Sequence, residues 1–138
     1  MSKENVDLIR QVFMAWQAGA IEQLDELLAP DVEWRPTALS DTGHTVYRGH
    51  QGVHDWIDAV TSRGGEIRNE IAEMRDMGDR VLVLGRVIEK IDDRTRVDAE
   101  LAWLFHVYEG VVARGEGFVS RTEAFRAAGV TDEAAGAL

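Results

Sequence analysis

From Glu66 onward the apolar residues of this chain leave a helical rhythm and begin to alternate, and that change limits the fold more than any other feature. The runs EIRNEIAEMRDM, RVLVLGRVIEKI, TRVDAELAWLFHVY and VVARGEGFV read as strands, with Gly78-Asp79, Asp92-Asp93 and Glu109-Gly110 as tight turns between them. Connections this short join antiparallel neighbours, so a four-strand antiparallel meander is predicted. RVLVLGRVI is apolar on both parities, with Val81, Val83 and Val87 on one side and Leu82, Leu84 and Ile88 on the other. A sheet wet on one face would alternate. Both faces are therefore expected to be covered, one by helices and the outer one by a second subunit in a homodimer.

The first half keeps the helical period. Ser2 is a plausible N-cap, Val6, Ile9, Phe13 and Trp16 recur at helical spacing, and Gly19 stops the helix. A shorter helix carries Ile21, Leu24, Leu27 and Leu28 and ends at Pro30; DVEWRP is a short strand closed by Pro36; a polar loop follows from Thr37 to Thr45. In VYRGHQGVHDWIDAV, Gly49 turns the chain into a helix striped by Val53, Trp56, Ile57 and Val60, which Gly64-Gly65 ends. Ser120 and Glu123 occupy capping-box positions before a last short helix, with Gly129 as its stop. Helices set apart from an antiparallel sheet define an α+β fold. Three N-terminal helices against one face of a curved antiparallel sheet would make a cone with an internal pocket. Residues 1–130 are expected to form a single domain and 131–138 a flexible tail.

The net charge of −10 argues against nucleic acid and against anionic membranes, because both need a field of Lys and Arg. The absence of cysteine suits a reducing compartment, and Glu4 and Asp7 break any leader-like apolar run, so a soluble cytoplasmic protein is expected.

His50 and His54 stand four apart, a spacing that metals use. A catalytic metal needs a third protein ligand, and Asp55 and Asp58 turn away from the apolar stripe, so no metal is expected there. Gly49 and Gly52 make no phosphate loop, since no Lys-Ser/Thr follows them. On the long strand, Val97, Ala99, Leu101, Trp103, Phe105 and Val107 share the face that hydrophobicity turns inward, while Asp98 and Glu100 fall on the other face. On the next strand Ala113, Gly115 and Gly117 share a face almost without side chains. If that face also looks inward, either a ligand fills the space or Trp103 does. Arg86, in an apolar run, reads as an outer-face arginine or as one needing a carboxylate. His44 and Tyr47, in or beside the loop before the third helix, are the polar candidates for orienting a ligand or moving a proton.

The segments AWQAGAIEQLDELLAPDVEW, YRGHQGV, YEGVVAR and RTEAFRAAGV, in this order, resemble the SnoaL-like branch of the nuclear transport factor 2-like superfamily. The resemblance covers nearly the whole chain and implies the α+β cone. It implies no single activity, since isomerases, cyclases, dehydratases, epoxide hydrolases and binding domains share the fold. Against ketosteroid isomerase, the resemblance puts Trp34 (or Arg35) where the general-base aspartate belongs, Trp103 at the oxyanion aspartic acid and Val12 near the tyrosine. No epoxide-hydrolase set of two aspartates and an arginine is visible. The reading is therefore a cofactor-free binder of a small apolar molecule, with Phe13, Trp16, Trp34, Tyr47, Trp56, Trp103 and Phe105 as pocket candidates. The alternatives are an isomerase or cyclase using His44, Tyr47 or His50, and an interaction domain whose tryptophans fill its own pocket.

Overall fold

The computed structural model describes residues 2–37, 46–62 and 66–129. His44, the Gly64-Gly65 stop and the 131–138 tail lie outside the described residues, as do the side chains of Ser2, Arg96 and Val97. Helices α1 (Ser2–Ala18) and α2 (Ile21–Leu27) lead into β1 (Leu28–Arg35) and the two-residue β2 (Tyr47–Arg48), followed by α3 (Gly49–Thr61). Strands β3 (Glu66–Asp76), β4 (Arg80–Ile91), β5 (Arg94–Tyr108) and β6 (Val111–Phe118) come next, and α4 (Arg121–Ala128) closes the order. The meander is present as β3 to β6. The second helix stops earlier than its apolar spacing suggests: Leu28 is already extended and Pro30 lies inside β1. The register of β1 is irregular between Leu28 and Glu33, where a proline without a donor is tolerated.

The sheet has six strands in the order β2-β1-β6-β5-β4-β3, and β1 runs parallel to β6. Local alternation does not reveal that parallel pairing, which brings residues about eighty positions apart into one row. It makes the curved sheet mixed. One face holds the main core, with Ile9, Val12 and Phe13 of α1, Leu24 of α2 and Val53 of α3 against Val81, Val83, Leu101, Trp103, Phe105 and Val107.

The opposite parity of β4 and β5 is covered by this chain's own α4. Leu82, Leu84, Ala102 and Leu104 form a second core with Ala124, Phe125 and Ala128. The apolar run on both parities thus has an intramolecular cause at Leu82 and Leu84, where the sequence suggested a second subunit. Ser120 caps α4 by accepting from the Glu123 N–H, Gly129 adopts φ 76° at its end, and Arg80 donates to the Ala128 carbonyl at 3.0 Å.

Two local devices shape the sheet. Ala72 is skipped in the β3–β4 register, and a Cβ on Gly85 beside it would collide with the Glu70 carbonyl oxygen, so the bulge requires glycine there. At the β3 edge, Gln17 of α1 donates Nε2–H to the Ile67 carbonyl at 2.8 Å and accepts from the Asn69 N–H at 3.1 Å. Its carboxamide stands in for a neighbouring strand and occupies part of an edge that could otherwise pair with another chain.

Candidate functional site

The row Tyr47–Trp34–Gly115–Phe105–Val81 crosses five strands in register. Trp34 and Phe105 stack over Gly115 with planes 6° apart and ring centroids 6.5 Å apart. A Cβ on Gly115 would come within 3.0 Å of both rings, and one on Gly117 would lie 2.8 Å from Thr37 and 3.6 Å from Trp103. These two glycines do look inward, and the space they leave is largely taken by aromatic rings. Ala113 does not share their strict alternation: it is skipped where the β5–β6 register shifts, which brings Val112 and Gly115 to the same core. The alternation expected for Ala113 therefore fails because a bulge resets the strand's parity.

Between the rings lies an apolar cavity of about 60 Å³. Its wall includes Phe13 and Trp16 of α1, Trp34 of β1, Trp56 of α3, and Trp103 and Phe105 of β5. Phe13 meets Trp103 and Phe105 edge-on at centroid distances of 5.2 and 5.7 Å, and Trp56 meets Trp34 edge-on at 5.2 Å. Edge-to-face contacts of this kind fix ring positions. The volume is several times the roughly 10–15 Å³ that one water needs. It falls short of the roughly 300–1,000 Å³ typical of clefts for drug-sized ligands.

Six of the seven aromatic residues singled out in the sequence thus line one cavity. Tyr47 does not belong to that wall: it is buried beside it against Trp56 and Val60, because β2 pairs antiparallel with β1. His50 reaches the Leu28 carbonyl at 2.9 Å, and His54 contacts both oxygens of Asp25 at 2.8 and 2.9 Å. The pair joins α3 to α2 and β1 and stands outside the cavity wall. Glu33 is the one charged residue among the described lining, and its carboxylate bonds Arg35 at 2.7 Å. Burial pushes the Glu33 carboxyl up, yet the Arg35 hydrogen bond and the charges of Arg35, Arg48 and Arg114 outweigh it and hold the group below its ordinary value.

Asp98 forms an ion pair with Arg86 on the outer face, so that arginine has its carboxylate. Glu89 was missed in the sequence reading. It is 4% exposed, the one charged residue among the described buried ones. Its signal was available, since it continues the Val81–Val83–Val87 parity that faces the main core. Asn69 likewise shares the Ile67–Ile71 parity and has both side-chain polar atoms buried.

The SnoaL-like domain family matches residues 9–115. A comparison with curated proteins finds no match. Among solved structures, TerC co-crystallised with polyporic acid is 24% identical with a TM-score of 0.75, over 90% of this chain and 96% of that one. A putative polyketide cyclase from Sinorhizobium meliloti is 21% identical with a TM-score of 0.68, over 81% and 94%. A putative ketosteroid isomerase from Kribbella flavida DSM 17836 is 18% identical with a TM-score of 0.65, over 86% and 79%. Likeness at these identities establishes the fold alone, and those proteins differ in chemistry. The family match, which spans most of the chain, agrees with the helix-filled curved sheet: this protein belongs to the SnoaL-like domain family.

Proposed function

We propose that this protein binds a small, mainly apolar molecule inside the cone, whose aromatic wall must part to admit anything as large as a benzene ring, since that takes a cavity of about 150 Å³. The observation that carries the reading is the aromatic-walled cavity of about 60 Å³. Burial of apolar surface is the driving force, on the order of 25 cal/mol per Å². TerC, similar in fold, was co-crystallised with polyporic acid, so a protein of this fold has been crystallised together with a small organic molecule. An isomerase or cyclase reading has less support. Tyr47 and His50 stand outside the cavity wall, and Glu33 is engaged by Arg35. The test is titration of isotope-labelled protein with ethylbenzene. Saturable shifts of the tryptophan indole signals support the reading. No shift at millimolar ligand removes it and leaves an interaction domain that packs its own tryptophans.

We propose in addition that the protein works in the cytoplasm as a homodimer, paired through the part of the outer sheet face that α4 leaves open. The lack of cysteine supports the compartment. Partly buried Ile88 and the ion pairs Arg86–Asp98 and Arg121–Glu100, the latter at 3.8 Å, supply the mixture of apolar and polar groups common at interfaces. No helix among the described residues is long and apolar enough to cross a membrane. Sedimentation at micromolar concentration that finds only a 15.4 kDa species rules the dimer out.

A further inference from the structure

The outer face of the sheet carries a row of its own, one residue along from the aromatic row. Arg80 of β4, His106 of β5, Arg114 of β6, Glu33 of β1 and Arg48 of β2 stand side by side in register, and Arg35 stands opposite Glu116 next to them. The arginines outnumber the acids they touch. Glu33 holds Arg35 at 2.7 Å and meets Arg48 at 3.6 Å, Glu116 holds Arg114 at 3.2 Å, and Arg80 has Asp79 at 3.9 Å. The surplus is felt at His106, where burial and then the charges of Arg114 and Arg80 hold the imidazole below its ordinary value against the opposing pull of Asp79 and Glu116. A positive row is thus set into a chain whose net charge is −10.

The row begins where α4 ends. Arg80 donates to the Ala128 carbonyl at 3.0 Å, and Gly129 follows with φ 76°. Residues 130–138, VTDEAAGAL, continue the chain from that point and carry Asp132 and Glu133 but no Lys or Arg. We infer that this acidic segment docks back along the row, with Asp132 and Glu133 against Arg114 and the arginines of β1 and β2 beyond it. Its reach suffices. Adjacent strands are about 4.8 Å apart, which puts Arg114 roughly 10 Å and Arg48 roughly 19 Å from Arg80. A chain advances about 3.4 Å per residue, so Asp132 and Glu133 extend to roughly 10 and 14 Å from Gly129. Exposed charge pairs are weak between separate molecules, but a tethered partner acts at a high effective concentration. Docked in this way, the segment ties α4 to β1 and β2, the strands that carry Trp34 and Tyr47. The inference does not depend on the ligand-binding reading.

The experiment uses the full chain. It has no cysteine, so Ala135→Cys offers a single attachment point for a nitroxide label, two residues beyond Glu133. In ¹⁵N-labelled protein the nitroxide is expected to broaden the amide signals of Arg114, Glu33 and Arg48 far more than those of β3, which adjoins β4 on the opposite side. The broadening should vanish in 1 M sodium chloride, where charges are screened beyond about 3 Å. It should also vanish in the same labelled chain carrying Asp132→Asn and Glu133→Gln. Broadening spread evenly around Gly129, with β3 affected as much as β6, overturns the inference, and so does broadening that survives both treatments. A further sample mixes spin-labelled protein of natural isotope content with ¹⁵N protein that carries no spin label. Broadening of the ¹⁵N signals there means that the segment docks on a second copy, and likewise overturns the inference.

Discussion

The indole of Trp34 lies parallel to the ring of Phe105, with planes 6° apart, and both rings rest on the bare backbone of Gly115. A methyl group at that position would stand 3.0 Å from each ring, tighter than ordinary contact. Gly115→Ala is therefore expected to destabilise the fold by about 1–3 kcal/mol, the usual cost of overpacking a filled core. Chemical denaturation checks it as a lowered midpoint with an unchanged slope.

The same packing bears on chemistry. Trp34 and Trp103, which the family resemblance puts in place of ketosteroid isomerase's acids, both wall the cavity. An indole cannot serve as a general base near neutral pH, and loss of one oxyanion donor alone typically costs on the order of 10²–10³ in rate. The protein is expected to leave a Δ5-3-ketosteroid unisomerised above the buffer rate, followed by absorbance of the conjugated product. Turnover above that rate refutes the expectation.

On the outer face, His106 sits in register between Arg80 and Arg114. Burial first, and then the charges of Arg114 and Arg80, hold its imidazole below the ordinary value of 6.5, while Asp79 and Glu116 partly oppose them. The unfolded chain thus binds the proton more readily. Stability supplied by the neutral ring is present above pH 6.5 and is lost as pH falls from there through the folded value. Thermal melts between pH 7.5 and 5 should show a steeper loss for the native protein than for His106→Gln. Parallel curves for the two proteins would contradict this.

Phe125 anchors α4 over Leu82, Leu84, Ala102 and Leu104 and is 4% exposed. Phe125→Ala should cost roughly 3–5 kcal/mol, as do other large-to-small changes of buried aromatics. A shift in denaturation midpoint equivalent to less than about 1 kcal/mol would mean that α4 contributes little.

The Nε2 atoms of His50 and His54 contact the Leu28 carbonyl and the Asp25 carboxylate, which ties both rings to the neighbouring elements. Protein purified without an affinity tag should contain no stoichiometric zinc, iron, nickel or manganese by elemental analysis. His54→Ala should lower stability by about 1 kcal/mol, the scale of one partly exposed polar contact. Stoichiometric metal lost in that variant would reverse the assignment.

Much of this architecture was legible in residue order. Helical spacing located α1 and α3, alternation located β3 to β6, and parity placed Trp103 and Phe105 inside and Asp98 outside. Those features are local, because a residue's face follows from its neighbours' period. Even Glu89 could have been found by extending the parity of Val81, Val83 and Val87. Three things required the folded chain. Which strand pairs with which depends on contacts between residues far apart in sequence, so only tertiary structure set β1 parallel to β6 and brought Trp34 over Gly115 beside Phe105. The covering of the outer face depended on where α4 returned, and the skipped residues Ala72 and Ala113 reset strand parity in ways that a run of letters does not mark. The aromatic residues of the wall were thus determined by sequence, whereas the cavity between them exists because long-range pairing and strand curvature left their rings slightly too few to fill it.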